Sequence, residues 1–173
     1  MKKIISLLII LITLGLGAAV FLKKPVQEPI QKPVEEVEII PEVRLKLVSA
    51  VNTVKVNQDI KLEIILEPLF PQKIDGLDII LNFVTQIDNS TPALELVRSL
   101  QQNNQTIISF LALNEDQAGF VLTQPLVLGE LKIVPTTSGP LLLDFSEKSA
   151  IIEAVTSKKI PVQLEKIRLD VLE

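Results

Sequence analysis

The chain has no histidine, cysteine, tryptophan or tyrosine among its 173 residues. Without imidazole or thiol, no Ser-His-Asp or Cys-His unit can form, and zinc and copper lose their usual ligands. No disulfide can brace the fold, and no thiol is present to take a lipid. The missing Trp and Tyr remove the ring types that combine an apolar body with a polar handle, so an aromatic sugar-binding platform is poorly supplied. A basic stripe is also missing. Lys and Arg total 17 against 21 Asp and Glu, a net charge of -4, which disfavours phosphate neutralisation and hence nucleic acid as a partner.

What is present begins with an apolar run. Met1-Lys2-Lys3 precedes 19 uncharged residues, Ile4 to Leu22, which stop at Lys23-Lys24. At about 1.5 Å per residue that run just spans a hydrocarbon core of roughly 30 Å. Residues 1–24 therefore read as a single transmembrane helix that anchors an extracytoplasmic body at the cell surface. Cleavage after the small residues Gly17-Ala18-Ala19, with secretion of the body, is the alternative. Residues 25–42 form a linker in which Pro25, Pro29 and Pro33 recur every four residues and Pro41 closes the segment. Prolines fix φ and remove donors, so this stretch favours extended, polyproline-like spacing.

From residue 43 to 173 the apolar period is two. Leu45 and Leu47 alternate with Lys46, Leu62, Ile64 and Leu66 with Lys61 and Glu63, and Leu77, Ile79, Leu81 and Phe83 with Asp78, Ile80 and Asn82. Ile167, Leu169 and Val171 set against Lys166, Arg168 and Asp170 give the cleanest alternation. Turn signals separate the runs at Asn57-Gln58-Asp59, Asp75-Gly76, Asp88 to Pro92, Gln102-Asn103-Asn104 and Ser138-Gly139-Pro140. Thr91 to Leu100 could start a helix with Thr91 as cap, but Leu94 and Leu96 flanking Glu95 favour a strand. About nine short strands, each apolar on one side, predict an all-β fold: two antiparallel sheets packed face to face.

The order of these features resembles a cohesin domain, a jelly-roll sandwich related in fold to carbohydrate-binding modules. The resemblance covers roughly residues 43–173. It rests on Leu45 to Ser49, Val54 to Asp59, the strand Ile60 to Leu66, Gly76 to Phe83, Ala93 to Val97, and Gly129 to Val134 followed by Thr137-Ser138-Gly139. Two departures stand out: Asn57-Gln58 replaces the family's glycine, and Phe83-Val84-Thr85 replaces its Tyr-Asp-Pro. The resemblance implies a protein partner, a dockerin-like module, held on one sheet face. It places Asp78 in the register of a partner-facing Asp, with Ile80 and Asn82 on the same face. Carbohydrate or cell-wall polymer binding, and a structural stalk without a discrete ligand, are the alternatives.

Other chemistry is thinly supplied, and an enzyme is the least expected class. Ser146-Glu147-Lys148-Ser149 lacks the S-x-x-K spacing of a Ser-Lys hydrolase. Asn114-Glu115-Asp116-Gln117 offers oxygen ligands but no alternating acidic run for calcium. Neither a metal site nor a cofactor is expected. Phe70 and Phe120 are the two phenylalanines placed for exposed contact. Ile65, Ile80, Leu111 and Leu142 occupy nominally outward positions, as an apolar patch or beneath a loop.

Overall fold

The two-residue period builds strands because a pleated backbone sends successive side chains to opposite faces, one toward a core and one toward water. The computed structural model describes residues 40–89, 91–92, 94–112 and 119–173, all within the compact unit Ile39–Glu173. The apolar leader, the proline segment to residue 39 and the acidic loop Asn114 to Gln117 lie outside the described residues. Among the described residues no helix is long and apolar enough to cross a membrane.

The described chain forms β1 (Val43–Ser49), β2 (Thr53–Lys55), β3 (Ile60–Pro68), β4 (Gln72–Leu81), β5 (Gln86–Asn89), β6 (Leu94–Gln102) and β7 (Gln105–Ala112). It continues through β8 (Phe120–Leu122), β9 (Leu126–Ile133), β10 (Gly139–Leu143), β11 (Ala150–Glu153), β12 (Lys159–Ile160), β13 (Val162–Glu165) and β14 (Ile167–Leu172). One sheet runs β13-β1-β3-β9-β5, a second β12-β11-β4-β7-β6 with β8 also bonded to β4, and a small third β10-β14-β2. The all-β, sandwich-like expectation stands, and the segment that could have begun a helix at Thr91 is the strand β6.

Each long strand turns its alternate aliphatics inward. Leu45, Leu62, Ile64, Leu66, Ile79, Leu81, Ile108, Phe110, Leu131 and Leu169 are buried in one shared core. Burying each such side chain contributes about 1.5–3 kcal/mol, which is why the chain needs no covalent staple. Ile79 faces Ile108 and Leu77 faces Phe110 across β4 and β7. Two pairings depart from the all-antiparallel expectation: β1 runs parallel to β13, and β2 parallel to β14. In both, a strand near the start of the body meets one near its end. Alternation reports which face a residue takes, not the direction of its neighbour.

Two turn signals illustrate the limits of local reading. Asn103 and Asn104, with φ of 51° and 61°, form the two-residue link between β6 and β7. Two successive positive φ values are what a type I′ hairpin requires. Asp75-Gly76, by contrast, is no turn. Both residues lie inside β4, where the register against β11 passes from Ile152↔Gly76 to Glu153↔Ile74 and leaves Asp75 as the extra residue of a bulge. Glycine inside a strand marks such a bulge or a close approach as readily as it marks a turn.

Candidate functional site

The outer faces of the two large sheets differ in chemistry. On the β13-β1-β3-β9-β5 sheet the outward side chains are largely charged and pair with one another. Arg44 meets Glu67 at 3.2 Å and Glu165 at 2.8 Å, and Lys46 meets Glu67 at 3.0 Å. Lys61 meets Glu130 at 2.8 Å, and Lys132 meets Asp59 at 2.5 Å. The Glu67 carboxyl is held below its ordinary value first by the hydrogen bond from Lys46, then by the nearby positive charges. Lys61 is raised first by its hydrogen bond to Glu130. This face is a self-neutralised, solvated surface.

The outer face of the β11-β4-β7-β6 portion is arranged in rows that the register fixes. Ile80 of β4 lies beside Ile107 of β7, and Ile107 beside Leu100 of β6. Two residues along, Asp78, Ser109 and Arg98 make a polar row that ends beside Ala150 of β11. Two residues further, Ile152, Gly76 and Leu111 are aligned, with Glu95 beyond them. Leu111 is 50% exposed, the bulged Val97 46% and Leu100 36%, a strip of wet apolar surface that runs from β7 to the edge strand β6. Adjacent rows are roughly 6.8 Å apart, two residues of extended chain. Among the described residues neither Asp78 nor Arg98 has an ion-pair partner.

The structure brings together two of the three expected partner-facing residues and sets the third at the rim. Asp78 and Ile80 point outward from β4 in adjacent rows. Asn82 follows the last residue of β4, where its side chain donates to Asp144 Oδ1 at 2.9 Å and accepts from Gln105 Nε2 at 2.8 Å. The backbone of Ile80 is pinned by the neighbouring turn: its carbonyl accepts from the Ser146 N–H at 2.7 Å, and its N–H donates to Ser149 Oγ at 3.0 Å. The Ser146–Ser149 segment thus fixes the edge of the face.

The four outward aliphatics do not form one patch. Ile80 and Leu111 share this face, whereas Ile65 pairs with Lys46 and Val127 in the charged sheet and Leu142 with Arg168 in the small sheet. Leu100 and Val97 were missed as members because alternation within β6 is interrupted by the bulge between Leu96 and Arg98. Phe120 is half-buried against the core rather than exposed, leaving Phe70 at 56% exposure as an isolated ring. Among the described residues no group of three or more acidic side chains is placed to hold a metal ion.

Between the polar row and the Gly76 row the face is indented. Asp75, Gly76, Asp78, Ser109, Leu111 and Ile152 surround a hollow of about 140 Å³. The floor is the Gly76 backbone. A Cβ built there would stand 2.9 Å from the Phe110 carbonyl oxygen and 3.0 Å from Leu111 Cδ2, so Leu111 already leans across the vacant position.

No family model matches the chain, and no curated protein matches it. Among solved structures it is similar to the cohesin module of a family 33 glycoside hydrolase from Clostridium perfringens, with TM-score 0.62, 10% identity, and coverage of 76% of this chain and 98% of that one. It is similar to a non-cellulosomal cohesin from the archaeon Archaeoglobus fulgidus, with TM-score 0.56, 14% identity, and coverage of 76% and 92%. It is also similar to a type I cohesin–dockerin complex from Clostridium thermocellum, with TM-score 0.56, 12% identity, and coverage of 78% and 97%. Likeness at this level of identity speaks to the backbone, and the backbone of the described body is that of a cohesin-like β-sandwich.

Proposed function

We propose that this chain is a protein-binding module whose docking surface is the outer face of β11, β4, β7 and β6, with a dockerin-like module as partner. The observation that supports this most strongly is the contrast between the two sheet faces. One neutralises its own charges in ion pairs, while the other exposes Val97, Leu100 and Leu111 near a half-buried Ile80 and beside an Asp78 and an Arg98 without ion-pair partners among the described residues. Interfaces derive their affinity from a desolvated apolar centre and their register from polar groups within and around it. The fold adds support, because cohesin–dockerin complexes are among the solved structures it resembles. Asp78 would fix the partner's register, Ile80 would supply apolar contact, and Asn82 would serve at the rim. A polysaccharide ligand gains nothing from the face, which has no exposed ring; Phe70 is the exposed phenylalanine among the described residues.

The test is surface plasmon resonance with the full chain immobilised and purified dockerin modules as analytes. Saturable binding is expected, with a loss of about 30-fold or more for the pair Ile80→Glu and Leu100→Glu, since each buries a charge at the apolar centre. Glu63→Lys, on the opposite sheet, should change it little. Binding that survives the double substitution would overturn the assignment of the face, and no binding across a broad panel would overturn the dockerin partner.

The apolar run Ile4 to Leu22 between lysine pairs supports a further element of the proposal: the leader anchors the body outside the cytoplasm. Protease added to intact cells should then degrade the body while leaving it undetectable in the medium. Recovery of soluble body from the medium would favour cleavage of the leader instead, and protection from protease would refute export.

A further inference from the structure

The three strand orders end in six edge strands, and five of these are short. β5 and β13 have four residues each, β2 three and β12 two, while β10 has five with Pro140 among them. β6 differs: it has nine residues, bonded on one side to β7 and on the other to no strand among the described residues. Short length, proline and lysine are the usual means of keeping an edge from pairing with another chain. β6 contains neither proline nor lysine, and its one protection is the bulge at Val97. Beyond the bulge, Arg98 to Gln102 run in regular register against Ser109 to Gln105.

The hairpin fixes which way the backbone of this stretch points. Gln102 and Gln105 flank the two-residue turn, so they exchange both hydrogen bonds and the pattern alternates from there. Arg98, Leu100 and Gln102 thus direct N–H and C=O toward β7, while Ser99 and Gln101 direct theirs away from it. On that side neither backbone has a hydrogen-bond partner among the described residues. The Gln101 side chain donates to the Thr85 carbonyl at 2.9 Å, which holds the strand in place. Ser99 and Gln101 lie opposite the buried Ile108 and Thr106, yet both are exposed, so β6 stands out past the end of the core. Two donors and two acceptors are therefore open on either side of Leu100.

We propose that β6 is a pairing edge and that its occupant is a second copy of this chain, joined antiparallel about a two-fold axis through Leu100. The pattern is its own complement: Ser99 of each chain meets Gln101 of the other, and every donor finds an acceptor. An axis through Ser99 sets Gln101 against the bulged Val97, and one through Gln101 sets Ser99 against the turn residue Asn103. The axis on Leu100 uses all four groups. It places Leu100 against Leu100, with Cα atoms about 4.5 Å apart, and Arg98 against Gln102. The two arginines are then four residues, roughly 13 Å, from each other, so no like charges are opposed. The apolar strip of β7 and β6 continues across the axis into the second copy. This inference does not depend on which partner the open face takes.

The chain has no native cysteine, so introduced thiols read the register. The test is mild oxidation of the full chain in detergent, with micelles in large excess, followed by non-reducing electrophoresis. Leu100→Cys should link into a dimer, because a separation of about 4.5 Å lies within disulfide reach. Ser99→Cys should stay monomeric, its two copies being about 8 Å apart. Arg98→Cys and Gln102→Cys should stay monomeric alone and link when mixed. Adding Ser99→Pro to Leu100→Cys should slow linking about tenfold, since each chain loses one open donor. That proline removes no bond to β7, so the fold is kept. Adding Ile80→Glu, on the open face, should leave linking unchanged. Leu100→Cys that stays monomeric would overturn the second copy as occupant, and equal linking at all four positions would overturn the register. Linking indifferent to Ser99→Pro would overturn backbone pairing, and linking lost with Ile80→Glu would mean that copies meet through the face instead of the edge.

Discussion

Thr106 is fully buried in β7, and its hydroxyl serves two partners at once. It accepts from the Thr85 N–H at 3.0 Å and donates to the Phe83 carbonyl at 2.9 Å. Thr85 in turn donates its own hydroxyl to the Lys132 carbonyl on β9 at 2.9 Å, so two buried threonines tie one large sheet to the other. Thr106→Val keeps the volume but strands a buried donor and a buried acceptor, which should cost about 1–3 kcal/mol. Thr106→Ser should retain more of the stability. Urea unfolding of both variants checks this, and a valine variant as stable as the wild type would remove the hydroxyl from the account. Gly129 presents a different constraint. A Cβ there would stand 2.4 Å from the Asp88 carbonyl oxygen and 2.9 Å from two Ile87 side-chain carbons. Gly129→Ala should push β5 off β9 and destabilise by about 1–3 kcal/mol, as overpacking does; loss of hydrogen-exchange protection confined to Ile87 to Asn89 would report where the strain goes.

At the scale of elements, the ion-paired sheet makes a prediction about acid. Glu67 lies on β3 opposite Arg44 of β1, and its carboxyl is depressed below its ordinary value of 4.5, first by the hydrogen bond from Lys46. A carboxyl whose folded pKa is lowered stabilises the fold fully above its unfolded pKa and loses that contribution as pH falls through the folded one. Stability should therefore fall as the pH drops below 4.5, and Glu67→Gln should flatten that part of the curve. Denaturation midpoints measured across an acid series decide it, and parallel curves for the two proteins would sink the idea. The strands themselves were legible, because inward aliphatics at period two leave little choice over most of β1, β3, β4 and β14. So was the shared face of Asp78 and Ile80, which are two residues apart in one strand. Three things were not. Asp75-Gly76 reads alike in a turn and in a bulge, so the interior of β4 looked like its beginning. The parallel partners of β1 and β2 lie far along the chain, and no local pattern encodes direction. Which sheet receives Ile65, Leu111 or Leu142 depends on other long-range pairings, β3 with β9, β7 with β4 and β10 with β14.

For the molecule as a whole, the question is why one sheet face stays apolar. If that surface served folding, its residues would be as costly to remove as the core. The register offers a direct comparison on one strand: Ile108 of β7 is fully buried against the core, while Leu111 stands 50% exposed on the opposite face. Ile108→Ala should cost about 2–5 kcal/mol, through lost burial and the cavity left behind. Leu111→Ser and Leu100→Ser should stay within about 0.5 kcal/mol of the wild type, as surface changes do. Cooperative urea unfolding of the three variants, with a common slope, gives the comparison. Serine variants that destabilise as much as Ile108→Ala would mean that the face packs against something within the chain, and the docking surface would lose its basis. Serine variants that leave stability intact but abolish partner binding would show that these aliphatic side chains are kept for a contact made outside the molecule.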